Sequence, residues 1–180
     1  RVSAAYTFAA TDTTLRASWG EGFKLPSFFA LSHPIVGNAD LQPETAESVD
    51  AGIAQELWGK RLTISATYFH NVFTDLIDFD EILNVLVNRS KVTTEGVELS
   101  LRVEPQPTLN FLAHLTYLQS NIKGTTEQLR NRPEWRGGFA IRWRPLPGLD
   151  LTLKSLVVGN VPDSSIPTGD VRLDAYARFD

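Results

Sequence analysis

The stretch formed by residues 20–45 decides how the rest of the chain is interpreted. It begins Gly20-Glu21-Gly22-Phe23-Lys24-Leu25-Pro26 and ends Gly37-Asn38-Ala39-Asp40-Leu41-Gln42-Pro43-Glu44-Thr45. On each side of it lies a segment in which apolar and polar residues alternate, as they do in a β-strand. Hairpin loops in compact domains usually have about 2–5 residues, so a connection of this length is unusual. The stretch is therefore predicted to be a long loop between two strands.

The same alternation recurs along the chain and predicts nine strands. Between Val97 and Glu104, for example, every second residue is apolar and the residues between them are polar or charged, the two-residue period of a strand. Glycine and proline punctuate the segments, and none of them carries a convincing period of 3.6 residues. The prediction is an all-β, antiparallel protein.

Two kinds of connection alternate between the predicted strands. Short turns are expected around residues 10–13, 58–60, 105–107 and 145–148, where glycine, proline or small polar residues cluster. Long loops are expected at residues 20–45, 74–88, 120–132 and 159–169. A strict alternation of this kind is typical of transmembrane β-barrels, in which all the short turns lie on the periplasmic side.

Composition excludes several classes of protein. The 180 residues include 17 basic and 21 acidic ones, a formal net charge of −4, and no basic block that would indicate a nucleic-acid partner. No cysteine is present, which excludes a disulfide framework, a thiolate metal site and a cysteine nucleophile. No apolar run approaches the roughly 18 residues of a membrane helix. A search for long apolar runs does not detect a transmembrane β-barrel, because the lipid-facing residues of its strands alternate with polar ones.

Alternation alone fits both a soluble β-sandwich and a transmembrane barrel. Several predicted strands have the length of about 9–11 residues that crosses a bilayer at a tilt, and aromatic residues lie near strand ends, as they do at membrane interfaces. We therefore favour an up-and-down transmembrane β-barrel. A soluble β-sandwich binding module stays as an alternative. So does an outer-membrane barrel enzyme, such as a lipase or protease, although no H-E-x-x-H or G-x-S-x-G motif supports it.

The number of predicted strands indicates an incomplete barrel. Single-chain bacterial barrels have an even number of strands, whereas nine are predicted here. An open sheet edge in lipid would leave backbone N–H and C=O groups without partners, at a cost of several kcal/mol each. The chain is therefore expected to be a segment of a larger barrel.

Five motifs in order along the chain resemble those of the TonB-dependent outer-membrane receptors. The first two are the ends of the opening stretch, G-x-G-F-K-x-P and G-N-x-x-L-x-P-E, with Ala39 where the family usually has proline. The others are Tyr68-Phe69-His70-Asn71, Asn88-Arg89-Ser90-Lys91-Val92-Thr93-Thr94-Glu95-Gly96-Val97-Glu98 and Leu129-Arg130-Asn131-Arg132-Pro133. Any one of them alone would be weak evidence, but together they are specific.

The resemblance implies a barrel of about 22 strands filled by an N-terminal plug. Residues 1–180 would then be a partial barrel, with the plug and the closing strands absent. It also implies TonB-energised uptake, across the outer membrane of a Gram-negative bacterium, of a scarce ligand such as an iron-siderophore complex, haem or vitamin B12. The implied partners are this metal-chelate or cobalamin ligand, the TonB complex through the absent plug, membrane lipid and lipopolysaccharide. No enzymatic activity and no cofactor are expected.

Candidate ligand-binding residues lie in the predicted extracellular loops. The aromatic side chains could form the wall of a ligand vestibule, or they could equally pack the loop onto itself. The carboxylates could bind Ca²⁺ or simply be solvated; their spacing does not fit an EF-hand, and no metal site is predicted. The candidates are Phe23, Phe28, Phe29, His33, Asn38, Asp75, Asp78 and Asp80. The alternative is that the motifs only shape the barrel.

A second set of residues is predicted to face the barrel lumen, because its members alternate with the apolar positions. The set consists of Arg102, His114, Arg136, Arg142 and Arg144. These side chains could contact a plug or an anionic ligand, or they could form ordinary ion pairs within the lumen. His70 falls on the opposite, lipid-side register, where a role at the membrane interface is expected.

Overall fold

A computed structural model describes residues 1–124, 129, 132–159 and 170–179, apart from the side chain of Ser90. In these residues the chain forms nine strands and one short helix. The elements are β1 (Val2–Phe8), β2 (Thr13–Lys24), α1 (Phe28–Ser32), β3 (Glu44–Leu57), β4 (Leu62–Asp80), β5 (Val85–Gln106), β6 (Leu109–Ile122), β7 (Trp135–Leu146), β8 (Leu149–Val158) and β9 (Asp170–Phe179).

All nine strands belong to a single sheet in which spatial order follows chain order from β1 to β9. Each strand pairs antiparallel with the next one, as in an up-and-down meander. Register shifts occur only in the β5–β6 and β7–β8 pairs, near their turns. The predicted fold class, all-β and antiparallel, is confirmed.

The unbroken register sorts the side chains onto two faces of the sheet. One row of paired residues crosses all nine strands without a charged side chain, and we call its side the apolar face: Tyr6, Leu15, Ile53, Ala66, Leu99, Leu115, Gly137, Val157 and Val171. The neighbouring row lies on the other side, which we call the polar face, and it includes Arg16, Thr67, Glu98, Thr116 and Arg136. The alternation read from the sequence is therefore continuous across the sheet.

No second layer covers the apolar face in the part of the chain that the structure describes. Large side chains on this face stay exposed, among them Tyr6 at 66%, Leu99 at 46% and Val171 at 70%. A β-sandwich would bury such a face against a second sheet. Within the same residues, no helix is long and apolar enough to cross a membrane.

The prediction of a second long loop at residues 74–88 is wrong. β4 continues to Asp80 and β5 begins at Val85, so only residues 81–84 connect them. Ile77 and Phe79 alternate with Asp78 and Asp80 in this segment, which is the two-residue period of a strand. Because β3 pairs with β4 only as far as Thr74, and β6 pairs with β5 from Val92 onwards, residues 75–91 extend beyond the neighbouring strands. We call them the projecting hairpin.

The opening stretch is only partly a loop. β2 runs to Lys24 and β3 begins at Glu44, so the connection comprises residues 25–43, which we call the α1 loop. The helix that it contains has five residues, too few to produce a detectable helical period. The sequence prediction of no helix missed it for that reason.

The other two long connections are described in part. β6 continues to Ile122 and β7 begins at Trp135, so the third connection starts later than predicted and also ends two residues later. Residues 125–128, 130 and 131 lie outside the described residues, and with them Arg130 and Asn131 of the fifth motif. The fourth predicted loop, apart from Gly159, also lies outside them.

Gly96 occupies a crowded position in the middle of β5. A Cβ atom added there would collide with the carbonyl oxygen of Tyr117 in β6 and would lie 2.7 Å from Cζ of Phe69 in β4. Phe69 is the residue paired with Gly96, so its ring occupies the space that a side chain would take. The register is regular here, and the backbone that approaches is that of β6.

The first prediction tests which face of the sheet meets lipid. Leu99→Arg should destabilise the full-length protein by about 2–4 kcal/mol, because it places a cation on the apolar face near the middle of β5. Ser100→Arg, one residue further along on the polar face, should cost much less. Folding titrations in lipid vesicles measure both values, and equal losses would contradict the assignment of the faces.

The second prediction concerns Gly96. Gly96→Ala should destabilise the full-length protein by about 1–3 kcal/mol, because the new methyl group meets backbone that cannot move away easily. Gly22→Ala is the matched control, since a Cβ atom at Gly22 has no neighbour within 4 Å. The same folding titration compares the two variants. A Gly96→Ala variant as stable as Gly22→Ala would show that the close packing is not a constraint.

Candidate functional site

The α1 loop begins with a short helix that is capped by local side chains. Ser27 is the N-cap, and its hydroxyl accepts a hydrogen bond of 3.1 Å from the amide of Ala30. At the other end, Nδ1 of His33 accepts from the amides of Ile35 and Val36 at 3.3 and 3.2 Å. His33, a candidate ligand residue, therefore uses one ring nitrogen to shape its own loop.

Helix α1 exposes its two phenylalanines and buries its alanine. Phe28 is 90% exposed and Phe29 is 60% exposed, whereas Ala30 is buried. The rings of Phe29 and His33 lie 4.6 Å apart between centroids, so the structure brings these two candidates together. Phe23 is not part of the group, because it lies in β2 on the apolar face, paired with Thr45. Its prediction as a loop residue is wrong.

The G-N-x-x-L-x-P-E motif attaches the α1 loop to the projecting hairpin. The amide group of Asn38 donates to the carbonyl oxygen of Leu86 at 3.0 Å, and its oxygen accepts from the backbone of Asp40 at 2.9 Å. The amide of Leu86 in turn donates to the carbonyl oxygen of Val36 at 2.8 Å. Leu41 is only 6% exposed. Asn38 is a predicted ligand-binding residue. Its side-chain amide is hydrogen-bonded to backbone groups through both its nitrogen and its oxygen.

Asn88 forms a second attachment between the same two segments. Its Oδ1 accepts from the backbone amide of Gln42 at 2.8 Å, and its Nδ2 donates to the backbone carbonyl of Gln42 at 3.1 Å. The same Nδ2 donates to the carbonyl oxygen of Asp75 at 2.6 Å. Asp75 lies in β4 with a φ of 56°, in the left-handed region. One side chain therefore joins the loop and both strands of the hairpin.

The projecting hairpin is held together by ion pairs. Arg89 contacts Asp78 at 3.3 Å and Asp80 at 3.4 Å, with all three side chains at most 20% exposed. Oδ1 of Asp80 also accepts from the amides of Ile82 and Leu83 at 2.9 and 3.0 Å, which orders the tip. Asp75, Asp78 and Asp80 were predicted as loop residues. That prediction is wrong, because all three lie in β4.

The aspartates of the hairpin do not form a metal-binding group. Among the described residues, no set of three or more His, Cys, Asp and Glu side chains is arranged to hold a metal ion. Asp78 and Asp80 have a cationic partner in Arg89 instead. At the base of the α1 loop, Lys24 pairs with the buried carboxylate of Glu44 at 3.0 Å and ties the ends of β2 and β3 together.

The five residues predicted to face the lumen lie in β5, β6 and β7. Arg102, His114, Arg136 and Arg142 are on the polar face according to their register, and Arg144 lines the same groove as Arg142. The closest ion pairs are local: Arg102 bonds Glu104 at 2.5 Å, and Arg142 forms a forked pair with Asp150. Arg144 donates to the carbonyl oxygen of Pro107 at 3.3 Å. His114 packs over Gly138.

Sequence reasoning missed the two residues that organise the projecting hairpin, Asn88 and Arg89. Both lie in the fourth of the five motifs, and the sequence alone assigns neither of them a role. A signal was available for Asn88, because asparagine is depleted in strands and its presence in a strand indicates a specific hydrogen-bonding task. The partners, Gln42 and Asp75, could not be identified, since the contact with Gln42 spans 46 residues of sequence.

Comparison with known proteins identifies the family. The family model described as TonB dependent receptor-like, beta-barrel, matches residues 1–180. The vitamin B12 transporter BtuB of Vibrio cholerae is 24% identical over 172 residues, which cover 92% of this chain and 27% of that protein. BtuB of Vibrio vulnificus is 43% identical over 63 residues, 35% of this chain and 10% of that protein.

Solved structures show the same fold. The ferric-catecholate import receptor Fiu from K12 E. coli aligns with a TM-score of 0.74 at 16% identity, over 99% of this chain and 28% of that one. The copper transporter OprC aligns with a TM-score of 0.75 at 17% identity, over 97% of this chain and 30% of that one. The chain spans less than a third of the length of these relatives. Since the family model covers every residue, the chain belongs to the TonB-dependent receptor family and matches its β-barrel.

Proposed function

We propose that this chain forms part of the barrel of a transporter in the outer membrane of a Gram-negative bacterium. The observation that carries the proposal is the nine-stranded meander with an uncovered apolar face, in a chain that its family model matches over its whole length. In a membrane, lipid would cover that face and leave the polar face toward the lumen. The aromatic residues Tyr117 and Trp135, 4.5 Å apart on the apolar face, suit contact with lipid headgroups or lipopolysaccharide.

The proposed activity is TonB-energised uptake of a ligand such as an iron-siderophore complex, haem or vitamin B12. The relatives support this range, since their names include a vitamin B12 transporter and a ferric-catecholate import receptor. The TonB complex would act through the plug. The relatives are named as a transporter and an import receptor, which does not favour an enzyme. The single sheet formed by the described residues does not favour a soluble sandwich module.

The proposed ligand contacts lie where the α1 loop and the projecting hairpin meet. Phe28, Phe29 and His33 offer rings that are exposed or half-buried on the loop. Asn38, Asp75, Asp78 and Asp80 are engaged with the backbone or with Arg89, so they support the shape of this region. Arg102, His114, Arg136, Arg142 and Arg144 are proposed to line the lumen below it, where local ion pairs already neutralise part of their charge.

The proposal is tested with the full-length protein in its native cell. Cell fractionation and heat-dependent migration on a gel should place a closed barrel in the outer membrane. Cells should accumulate radiolabelled cyanocobalamin, haemin or a ferric catecholate complex, and this accumulation should disappear in a strain that lacks TonB. A soluble protein without a heat-dependent shift would overturn the proposal, as would uptake that is independent of TonB.

A third prediction concerns the aromatic side chains of the loop. Phe29→Ala should weaken binding of the transported probe roughly two- to tenfold, because one aromatic contact is worth about 0.5–1.5 kcal/mol. Phe23→Ala removes the same ring from the apolar face and should leave affinity unchanged. Calorimetric titration of the purified full-length protein in detergent measures both. Equal losses in the two variants would contradict the assignment of Phe29 to the binding region.

A further inference from the structure

We infer that Asn88 is a positioning residue for ligand capture: it holds the α1 loop against the projecting hairpin so that the two act as one unit. The inference rests on the proposed uptake function. In this proposal Asn88 contacts no ligand itself. It positions the residues of the α1 loop that do.

The side chain of Asn88 makes three hydrogen bonds, two to the α1 loop and one across the hairpin. Both hydrogens of a side-chain amide can donate, and Nδ2 has two acceptors, the carbonyl oxygens of Gln42 and Asp75. Oδ1 accepts from the amide of Gln42. The loop side of the contact is backbone alone, so its strength depends on the residue at position 88 and not on the side chain at position 42.

The hairpin is a firm support for the loop. Arg89, next to Asn88 in the chain, pairs with Asp78 and Asp80 across the hairpin with all three side chains largely buried. The second attachment, between Asn38 and Leu86, lies two residues further toward the tip. Two anchor points on one side of a braced hairpin define the orientation of the loop, which a single contact would leave free to pivot.

Loose attachment would lower affinity without changing the contacts themselves. A loop that must be ordered when the ligand arrives costs conformational entropy at that moment, whereas a docked loop has already been ordered during folding. The rings of Phe28 and Phe29 are carried by this loop. The expected signature of losing Asn88 is therefore weaker capture, with the barrel and the rate of translocation at saturation intact.

The test uses three variants of the full-length protein. Asn88→Asp keeps the size and Oδ1 but replaces both donors with an oxygen that faces two carbonyl groups. Asn88→Ala removes all three side-chain hydrogen bonds of residue 88 and leaves the attachment at Leu86 in place. Gln42→Ala is the matched control: it keeps both hydrogen bonds to Asn88, which use the backbone of residue 42, and removes the bond from Nε2 of Gln42 to the carbonyl oxygen of Asp40 within the loop. Asn71→Asp is a second control on the same pair of strands, where the amide of Asn71 donates to the hydroxyl of Thr94 at 3.2 Å.

Hydrogen exchange measured by mass spectrometry reports the docking of the loop, without any ligand. Exchange in residues 36–42 should be at least tenfold faster in both Asn88 variants than in either control. Heat-dependent gel migration should be the same in all of them. Unchanged exchange in both Asn88 variants would overturn the inference.

Uptake of radiolabelled cyanocobalamin, or of a ferric catecholate complex if the wild-type protein takes up only that probe, reports the function. The concentration for half-maximal uptake should rise about fivefold or more in the Asn88 variants, and the maximal rate per receptor should stay the same. Faster exchange with unchanged half-saturation would overturn the positioning role. A wild-type protein that takes up no probe would overturn the proposed function, while the exchange experiment would still decide whether Asn88 docks the loop.

Discussion

Each inner strand of the sheet is hydrogen-bonded along both of its edges, and the other features depend on this continuous antiparallel ladder. Because the side-chain period of a strand is two residues, a slip of one residue in any strand would move its apolar side chains to the polar face. The row from Tyr6 to Val171 stays apolar across eight strand pairs, so no such slip occurs. In the proposed membrane setting, the ladder also satisfies backbone groups that water could not reach.

The ladder explains why glycine occurs within strands at particular positions. Gly96 leaves room for the ring of Phe69, and Gly52 leaves room for Arg16, which crosses it to donate to Thr67 at 2.6 Å. Both glycines lie on the polar face, where long side chains lie flat against the sheet and need a gap beneath them. The same ladder gives the projecting hairpin its support, since β4 and β5 continue past their neighbours in unchanged register.

At the end of the sheet that carries the α1 loop, side chains that hydrogen-bond to backbone groups hold the loop in place. The α1 loop contains only a five-residue helix, and its position is set by Asn38 and Asn88. Two of the motifs that resemble the family therefore contain the residues that attach the loop. The α1 loop carries two exposed rings, Phe28 and Phe29, and the half-buried, hydrogen-bonded amide of Asn38.

The sequence by itself determined the fold class, the number of strands, the two faces and the family, because all of these follow from local periodicity and from short motifs. The sequence prediction ended β2 and β4 too early and began β5 too late. Glycine and acidic residues within a strand resemble a loop until their partners are known. Only the tertiary structure decided that Asp78 and Asp80 meet Arg89 and that Asn88 meets Gln42. Those contacts depend on where two chain segments meet in space, and periodicity within one segment carries no information about that.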